Sequence, residues 1–195
     1  MIIVYAVLAY FIGSIPSGLI IGKTFFNTDV RQYGSKNIGA TNTYRVIGLK
    51  AALPVFLCDA LKGAAGVVLL SSYGPMYMII GGILAMMGHN WSIFLGFKGG
   101  RGVATGLGVL IALSPLVALL CFLVWGVIVY FTKLVSLGSI VAAALVPVLM
   151  YFTGESYWFV GFGGLAALFV IVRHWDNIKR LLAGNELKVE RIKKD

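Results

Sequence analysis

A bundle of seven membrane-spanning helices is the fold this sequence predicts, and three observations predict it. The chain is 59% hydrophobic and only 12% charged over 195 residues, and a mean hydropathy of +0.94 is too high for an apolar core wrapped in a polar surface. Apolar runs near the roughly 20 residues that a bilayer requires recur from end to end. The cations behind the net charge of +9 sit between those runs, where they set topology or meet phosphates and anionic lipid; nucleic acid is not the expected partner.

The runs lie near 2–22, 51–71, 76–95, 103–131, 134–152 and 157–174. The first lacks the cationic leader of a signal peptide and is followed by further apolar segments, so it is expected to be a retained span. The fourth decides the count. As one helix its 29 residues would reach about 44 Å, longer than the bilayer core, and Pro115 falls near its middle, so two short tilted helices, 103–114 and 116–131, are expected. With seven crossings and the N terminus outside, every cationic cluster lies on the cytoplasmic side: Lys23, Arg31, Lys36, Arg45 and Lys50, then Lys98 and Arg101, then Lys133, then a tail with Arg173, Lys179, Arg180, Lys188, Arg191, Lys193 and Lys194. The outer loops keep Glu155. A single crossing over 103–131 would put Lys133 and the tail outside, against the rule. Residues 1–195 are expected to form a single membrane-integral domain. Cys58 and Cys121 fall in apolar runs without metal-ligand spacing, so neither a disulfide nor a metal site is expected.

Polar chemistry then concentrates on the cytoplasmic face. The loop 27–50 contains SKNIGATNTYR, which sets Ser35, Asn37, Thr41 and Asn42 near Arg45, a group suited to a small polyoxygenated anion held by a guanidinium fork. The segment FKGGRGVATG places Lys98 and Arg101 among Gly99, Gly100 and Gly102 at the start of a helix. Glycines that allow close backbone approach, followed by a helix N terminus, predict an anion cradle. Neither a Walker A nor a dinucleotide fingerprint is present. The tail, RHWDNIKRLLAGNELKVERIKKD, is basic and amphipathic, and sets His174 and Asn177 three residues apart at the mouth of the membrane. His174 is a candidate base or phosphate ligand. Asp59 and Lys62, charged inside an apolar run, are expected to pair and support the site. His89 is expected to be a buried hydrogen-bonding hub. Ser136 and Ser139 are packing positions, with Ser139 a candidate ligand contact.

Four ordered segments, GSIPSGLIIGK, GSKNIGATNTYRVIG, GHNWSIFLGFKGGRGVATG and RHWDNIKRLLAGNE, carry a resemblance along nearly the whole chain. It resembles the bacterial membrane-integral acyl-phosphate:glycerol-3-phosphate acyltransferases, the PlsY family. The resemblance implies a seven-helix enzyme of the inner membrane with its active site facing the cytoplasm. It would be a monomer without cofactor or metal, whose partners are acyl phosphate, glycerol 3-phosphate and membrane lipid. The implied reaction is acyl transfer from acyl phosphate to the sn-1 hydroxyl of glycerol 3-phosphate, giving 1-acyl-glycerol 3-phosphate and inorganic phosphate, the first acylation in phospholipid synthesis. By motif position Ser35, Arg45, Arg101, His174 and Asn177 match residues needed for activity. The glycines of KGGRG match a glycerol-3-phosphate loop, and Glu186 matches a structural glutamate. The chain departs from the usual pattern at Arg101 for Lys, Lys36 for Gly and Ser92 for Pro.

Acyl phosphate is a mixed anhydride with a good leaving group, so a protein mainly needs to align two substrates and neutralise phosphate charge. A site rich in cations and poor in carboxylates fits that need. No Ser-His-Asp set is evident, and HxxxxD is missing because Phe94 and Lys179 follow His89 and His174 at the fifth position. A carrier of phosphate or of a lipid phosphate is the competing class, weakened by an outer side without polar residues and by the lack of a convincing internal repeat.

Overall fold

The computed structural model describes residues 1–192; Lys193 and Lys194 of the cationic tail lie outside the described residues. Every regular element among those residues is helical. The order is α1 (Ile2–Ser14), α2 (Ser17–Phe26), a 3₁₀ turn at Val30–Gln32, α3 (Ala40–Val46), α4 (Leu49–Leu69), α5 (Pro75–Asn90), α6 (Val103–Leu113), α7 (Pro115–Thr132), α8 (Val135–Phe152), α9 (Tyr157–Arg173) and α10 (Trp175–Leu182).

Four helices are long and apolar enough to cross a membrane, and the bent pairs α1–α2 and α9–α10 bring the number to six if each is one broken span. The unbroken helix expected over 2–22 is corrected to the bent pair α1–α2. Pro16 removes a backbone donor and pushes Ile15 out of the helical region (φ −56°, ψ 119°), so the chain breaks there and turns by 46°. The break expected near Pro115 is present, at Ser114, with the proline as first residue of α7. Its halves are unequal: 11 residues in α6 and 18 in α7. At about 1.5 Å per residue α6 reaches only about 16 Å, well short of the hydrocarbon thickness.

The chain packs as two compact units, Met1–Val109 with the segment from Val189 onward, and Leu110–Lys188. The first is joined by helices in backbone contact at small residues. A Cβ on Gly13 would lie 2.7 Å from the Ala85 Cα, one on Gly66 2.6 Å from the Gly81 oxygen, and one on Gly63 or Gly108 within 2.0 Å of the Thr105 or Ala60 oxygen. In lipid, close packing of this kind replaces the hydrophobic drive between helices. The second unit packs Val117, Cys121, Val146 and Met150 into a core covered by Leu110, Ala142, Leu149, Phe159 and Val160. Bulky apolar side chains such as Leu61, Phe131, Phe152 and Trp158 are exposed, as expected of a surface whose solvent is lipid. Tyr130, Tyr151 and Tyr157 lie at helix ends, where aromatic residues favour the membrane interface.

Candidate active site

Three stretches expected to carry chemistry acquire definite geometry, two in the first unit and one in the second. The loop between α2 and α4 is built around Asn42, whose side chain is buried on α3. Its Oδ1 accepts from the Ser35 N–H at 2.9 Å, while Nδ2 donates to the carbonyls of Val30 (2.8 Å), Tyr33 (3.2 Å) and Asn37 (2.9 Å). The Asn42 amide is therefore used up by its own loop, which corrects its expected part as a ligand: it fixes where Ser35 sits. Asn37 accepts from the Gly39 N–H at 2.8 Å, a local turn that leads into α3. Ser35, Asn37 and Thr41 are half-buried, and Arg45 is buried at 5% exposure. Asp29 anchors the near end of the loop, bridging Arg31 (2.7 Å) and Lys23 (3.3 Å). The Arg31 hydrogen bonds hold its carboxyl well below the usual carboxylate range. The segment after Val189 straps the far end: Arg191 donates to the Ile47 carbonyl at 2.9 Å, and the Ile192 N–H to that of Arg45 at 2.9 Å.

The glycine segment folds back onto the end of α5. The Gly99 N–H donates to the Asn90 carbonyl and the Gly100 N–H to that of His89, each at 3.0 Å. These two N–H groups were expected to face a ligand, and the structure gives them partners in the chain. The donors that remain are those of the first turn of α6, Val103 to Thr105, ahead of the first helical bond from Gly106 N–H to the Gly102 oxygen at 2.7 Å. The glycines serve contact with α5: a Cβ on Gly99 would lie 2.1 Å from the His89 oxygen, and one on Gly100 2.1 Å from the His89 Nε2. Gly102 also has φ +81°, where a side chain is strained. Arg101 is half-buried and Lys98 exposed.

Beneath this segment lies the expected support. Asp59 and Lys62 pair at 2.7 Å, and Lys62 Nζ also donates to the Ile15 carbonyl at 2.9 Å, the group next to the Pro16 break. Ser17 donates to Asp59 at 3.0 Å, and His89 Nδ1 lies 3.7 Å from the same carboxylate oxygen, too far for a hydrogen bond. His89 thus stands between the buried ion pair and Gly100. Ser92, where Pro is usual, donates to the Ser14 carbonyl at 2.5 Å and ties the loop to α1.

In the second unit, His174 marks the 61° bend between α9 and α10 and is buried. Its Nδ1 is 2.8 Å from the Val170 carbonyl, so a neutral His174 carries its proton on Nδ1 and Nε2 is the ring atom able to accept one. Asn177 is buried, with Nδ2 donating to Glu186 Oε1 at 2.6 Å, and Arg180 Nε donates to Glu186 Oε2 at 2.7 Å. Burial alone would raise the Glu186 carboxyl; the Asn177 amide, the Arg180 guanidinium and a glancing approach of the Ser136 hydroxyl outweigh it and hold the group below its ordinary pKa. The clamp fixes which way the Asn177 amide faces and leaves its Oδ1 without a hydrogen-bond partner among the described residues. Ser139 is buried and donates to the Val135 carbonyl at 2.8 Å, within its own helix.

The residues that sequence reasoning passed over are Ser17, Asn90 and Thr105. All three are buried, and the signal that could have found them was a small polar residue in an apolar run beside a motif. No group of three or more His, Cys, Asp or Glu side chains suited to a metal occurs among the described residues.

Comparison with known proteins gives concordant results. The family model described as Glycerol-3-phosphate acyltransferase matches residues 3–184. The glycerol-3-phosphate acyltransferase of Fusobacterium nucleatum subsp. nucleatum is 47% identical over 186 residues, covering 94% of this chain and 96% of that one. Glycerol-3-phosphate acyltransferase 2 of Moorella thermoacetica is 47% identical over 184 residues, covering 94% and 95%. The crystal structure of PlsY, an integral membrane glycerol 3-phosphate acyltransferase, in its glycerol 3-phosphate form superposes with a TM-score of 0.91 at 38% identity, over 96% of this chain and 94% of that chain.

Proposed function

Because this chain belongs to the glycerol-3-phosphate acyltransferase family, we propose that it transfers a fatty acyl group from acyl phosphate to the sn-1 hydroxyl of glycerol 3-phosphate, releasing 1-acyl-glycerol 3-phosphate (lysophosphatidic acid) and inorganic phosphate. The observation that carries this reading is the fate of the carboxylates. Asp29 is bridged by Lys23 and Arg31, Asp59 by Lys62, and Glu186 by Asn177 and Arg180, while Asp176 is exposed. The motifs therefore offer cations, hydroxyls and amides but no unpaired buried carboxylate as base, which suits a reaction whose substrates bring their own phosphates.

In the proposed step the glycerol hydroxyl oxygen bonds to the acyl carbonyl carbon as the bond from that carbon to the phosphate oxygen breaks. The hydroxyl proton passes to a substrate phosphate, with His174 Nε2 or Ser35 as relay, and inorganic phosphate leaves. Arg45 and Arg101 neutralise the phosphates, Asn177 Oδ1 accepts from a substrate hydroxyl, and Asn37, Thr41, Lys98, Gly102 and Ser139 complete the contacts. The protein works as a monomer in the inner membrane, crosses it seven times, and keeps this site on the cytoplasmic side.

The test is purified protein in detergent given acyl phosphate and glycerol 3-phosphate, with phosphate release and the acylated product followed over time. An enzyme turns over without a second compartment, whereas a carrier of phosphate or lipid phosphate does not. Arg45→Ala and Arg101→Ala are each expected to raise a substrate KM at least tenfold, the scale of a lost hydrogen bond to a charged group, about 1.5–3 kcal/mol; unchanged kinetics in both would sink the two-phosphate site. Loss of activity in His174→Ala that exogenous imidazole restores would make His174 the base in place of a substrate phosphate.

A further inference from the structure

Asn90 is the last residue of α5, wholly buried at 0% exposure, and neither Nδ2 nor Oδ1 of its side chain has a hydrogen-bond partner among the described residues. Leaving a buried amide unpaired at both ends is costly, and a side chain in that state calls for a reason. Its place supplies one. A Cβ on Gly102 would lie 2.8 Å from Asn90 Nδ2 and 3.4 Å from Oδ1, so the amide rests against the residue that immediately precedes α6. That helix is 11 residues long, and its first-turn N–H groups and partial positive charge face the same end. Thr105, in that first turn, is also fully buried with an unpartnered hydroxyl. The Asn90 backbone carbonyl meanwhile accepts from the Gly99 N–H, which fixes the side chain relative to the glycine segment.

We propose that Asn90 is a binding residue for glycerol 3-phosphate, its Nδ2 donating to a phosphate oxygen at the first turn of α6. An amide combines a donor with an acceptor, and glycerol 3-phosphate is a ligand that combines phosphate oxygens with hydroxyls. The proposal rests on the acyl-acceptor reading above. It gives that phosphate an uncharged ligand beside the cations Lys98 and Arg101, and moves the donors of the cradle from the Gly99 and Gly100 backbone to Asn90 and the turn that follows Gly102.

The test compares wild type, Asn90→Leu and Asn90→Asp in detergent, reading both substrate KM values, kcat, the melting temperature, and direct binding of glycerol 3-phosphate by calorimetry. Asn90→Leu removes an unsatisfied buried polar group while keeping its size, so its melting temperature is expected to hold or rise. Its KM and Kd for glycerol 3-phosphate are expected to increase ten- to hundredfold, the range for one hydrogen bond to a charged group, with the KM for acyl phosphate within twofold. Asn90→Asp, nearly the same shape but negatively charged, should raise both glycerol 3-phosphate constants further; it carries the comparison if Asn90→Leu does not fold. A glycerol 3-phosphate KM within twofold of wild type in the folded variants overturns the assignment, and so does a loss in kcat alone or an equal rise in both KM values. Wild type that neither binds nor acylates glycerol 3-phosphate is a different failure, that of the function itself, and takes this assignment with it.

Discussion

Asn42 bonds to four backbone groups between Val30 and Asn37, whereas Asn37 makes a single Asx contact to Gly39. At about 0.5–1.5 kcal/mol for each net hydrogen bond, Asn42→Ala is expected to cost about 2–6 kcal/mol and Asn37→Ala no more than about 1.5 kcal/mol. Thermal unfolding in detergent reads the difference, and equal losses would show that Asn42 does not organise the loop. Lys36 adds a second case: it sits at φ +57°, a left-handed backbone that glycine adopts without strain. Lys36→Gly should leave stability unchanged or raise it by up to about 1 kcal/mol, relief of the left-handed strain being set against the entropy glycine loses on folding. A clear loss would mean that the lysine side chain matters more than its backbone. At this scale residue type told only part of the truth. The sequence pointed to Ser35, Arg45, His174 and Asn177 because their chemistry is distinctive, and it grouped Asn42 with them because an amide suits a ligand. Whether an amide is already bonded by its own chain depends on contacts that only folding creates, which is also why Asn90 went unnoticed in GHNW.

The loop between α2 and α4 and the tail show how short elements hold polar groups in place. Asp29 accepts from the N–H of Arg31 in the 3₁₀ turn as well as from its guanidinium. Its pKa is lowered on folding, so its contribution is complete above the unfolded value of about 3.9 and is lost as pH falls toward the folded one. Wild type should therefore keep a constant margin over Asp29→Asn from neutral pH to about pH 5, and the two melting temperatures should converge below about pH 4. Convergence at neutral pH would leave the ion pair without a role. Glu186 is the corresponding anchor of α10. Glu186→Gln retains a carbonyl to accept from Asn177 and is expected to keep most activity, whereas Glu186→Ala frees the Asn177 amide to turn and should lower kcat at least tenfold; equal kcat in the two variants would remove Asn177 orientation from the account. The helices themselves were legible because apolar length and proline are local signals: Pro115 announced the break after α6. Pro16 carried the same signal inside the first run, yet apolar length prevailed in the reading, although Lys62 had been recognised as a charge in need of a partner. The partner proved to include the Ile15 carbonyl next to that proline.

Charge on the whole chain is uneven in a way that bears on its direction across the membrane. Of the sequence's 16 Lys and Arg residues, all but Lys62, which is buried within α4, fall in segments that a seven-crossing path places inside, while Glu155 lies in the connection between α8 and α9 that the same path places outside. Cations are held back from translocation, so this asymmetry argues for an outer N terminus and an inner C terminus. The length of α6 is the point of tension, since 11 residues span a bilayer only where the protein thins it or covers the helix ends. If α6 did not count as a crossing, the segment carrying Lys133 and everything after it would change sides. Single cysteines at Lys50, Glu155 and Glu190, in a chain with Cys58 and Cys121 replaced by alanine, separate the two paths in right-side-out vesicles treated with a membrane-impermeant maleimide. Seven crossings predict labelling at position 155 alone, with 50 and 190 reacting only after the vesicles are opened. Six crossings, with α6 not counted, predict labelling at 190 and protection at 155. That outcome would put His174 and Asn177 on the opposite side of the membrane from Ser35 and Arg45, and a single active site drawing on both groups would then be untenable.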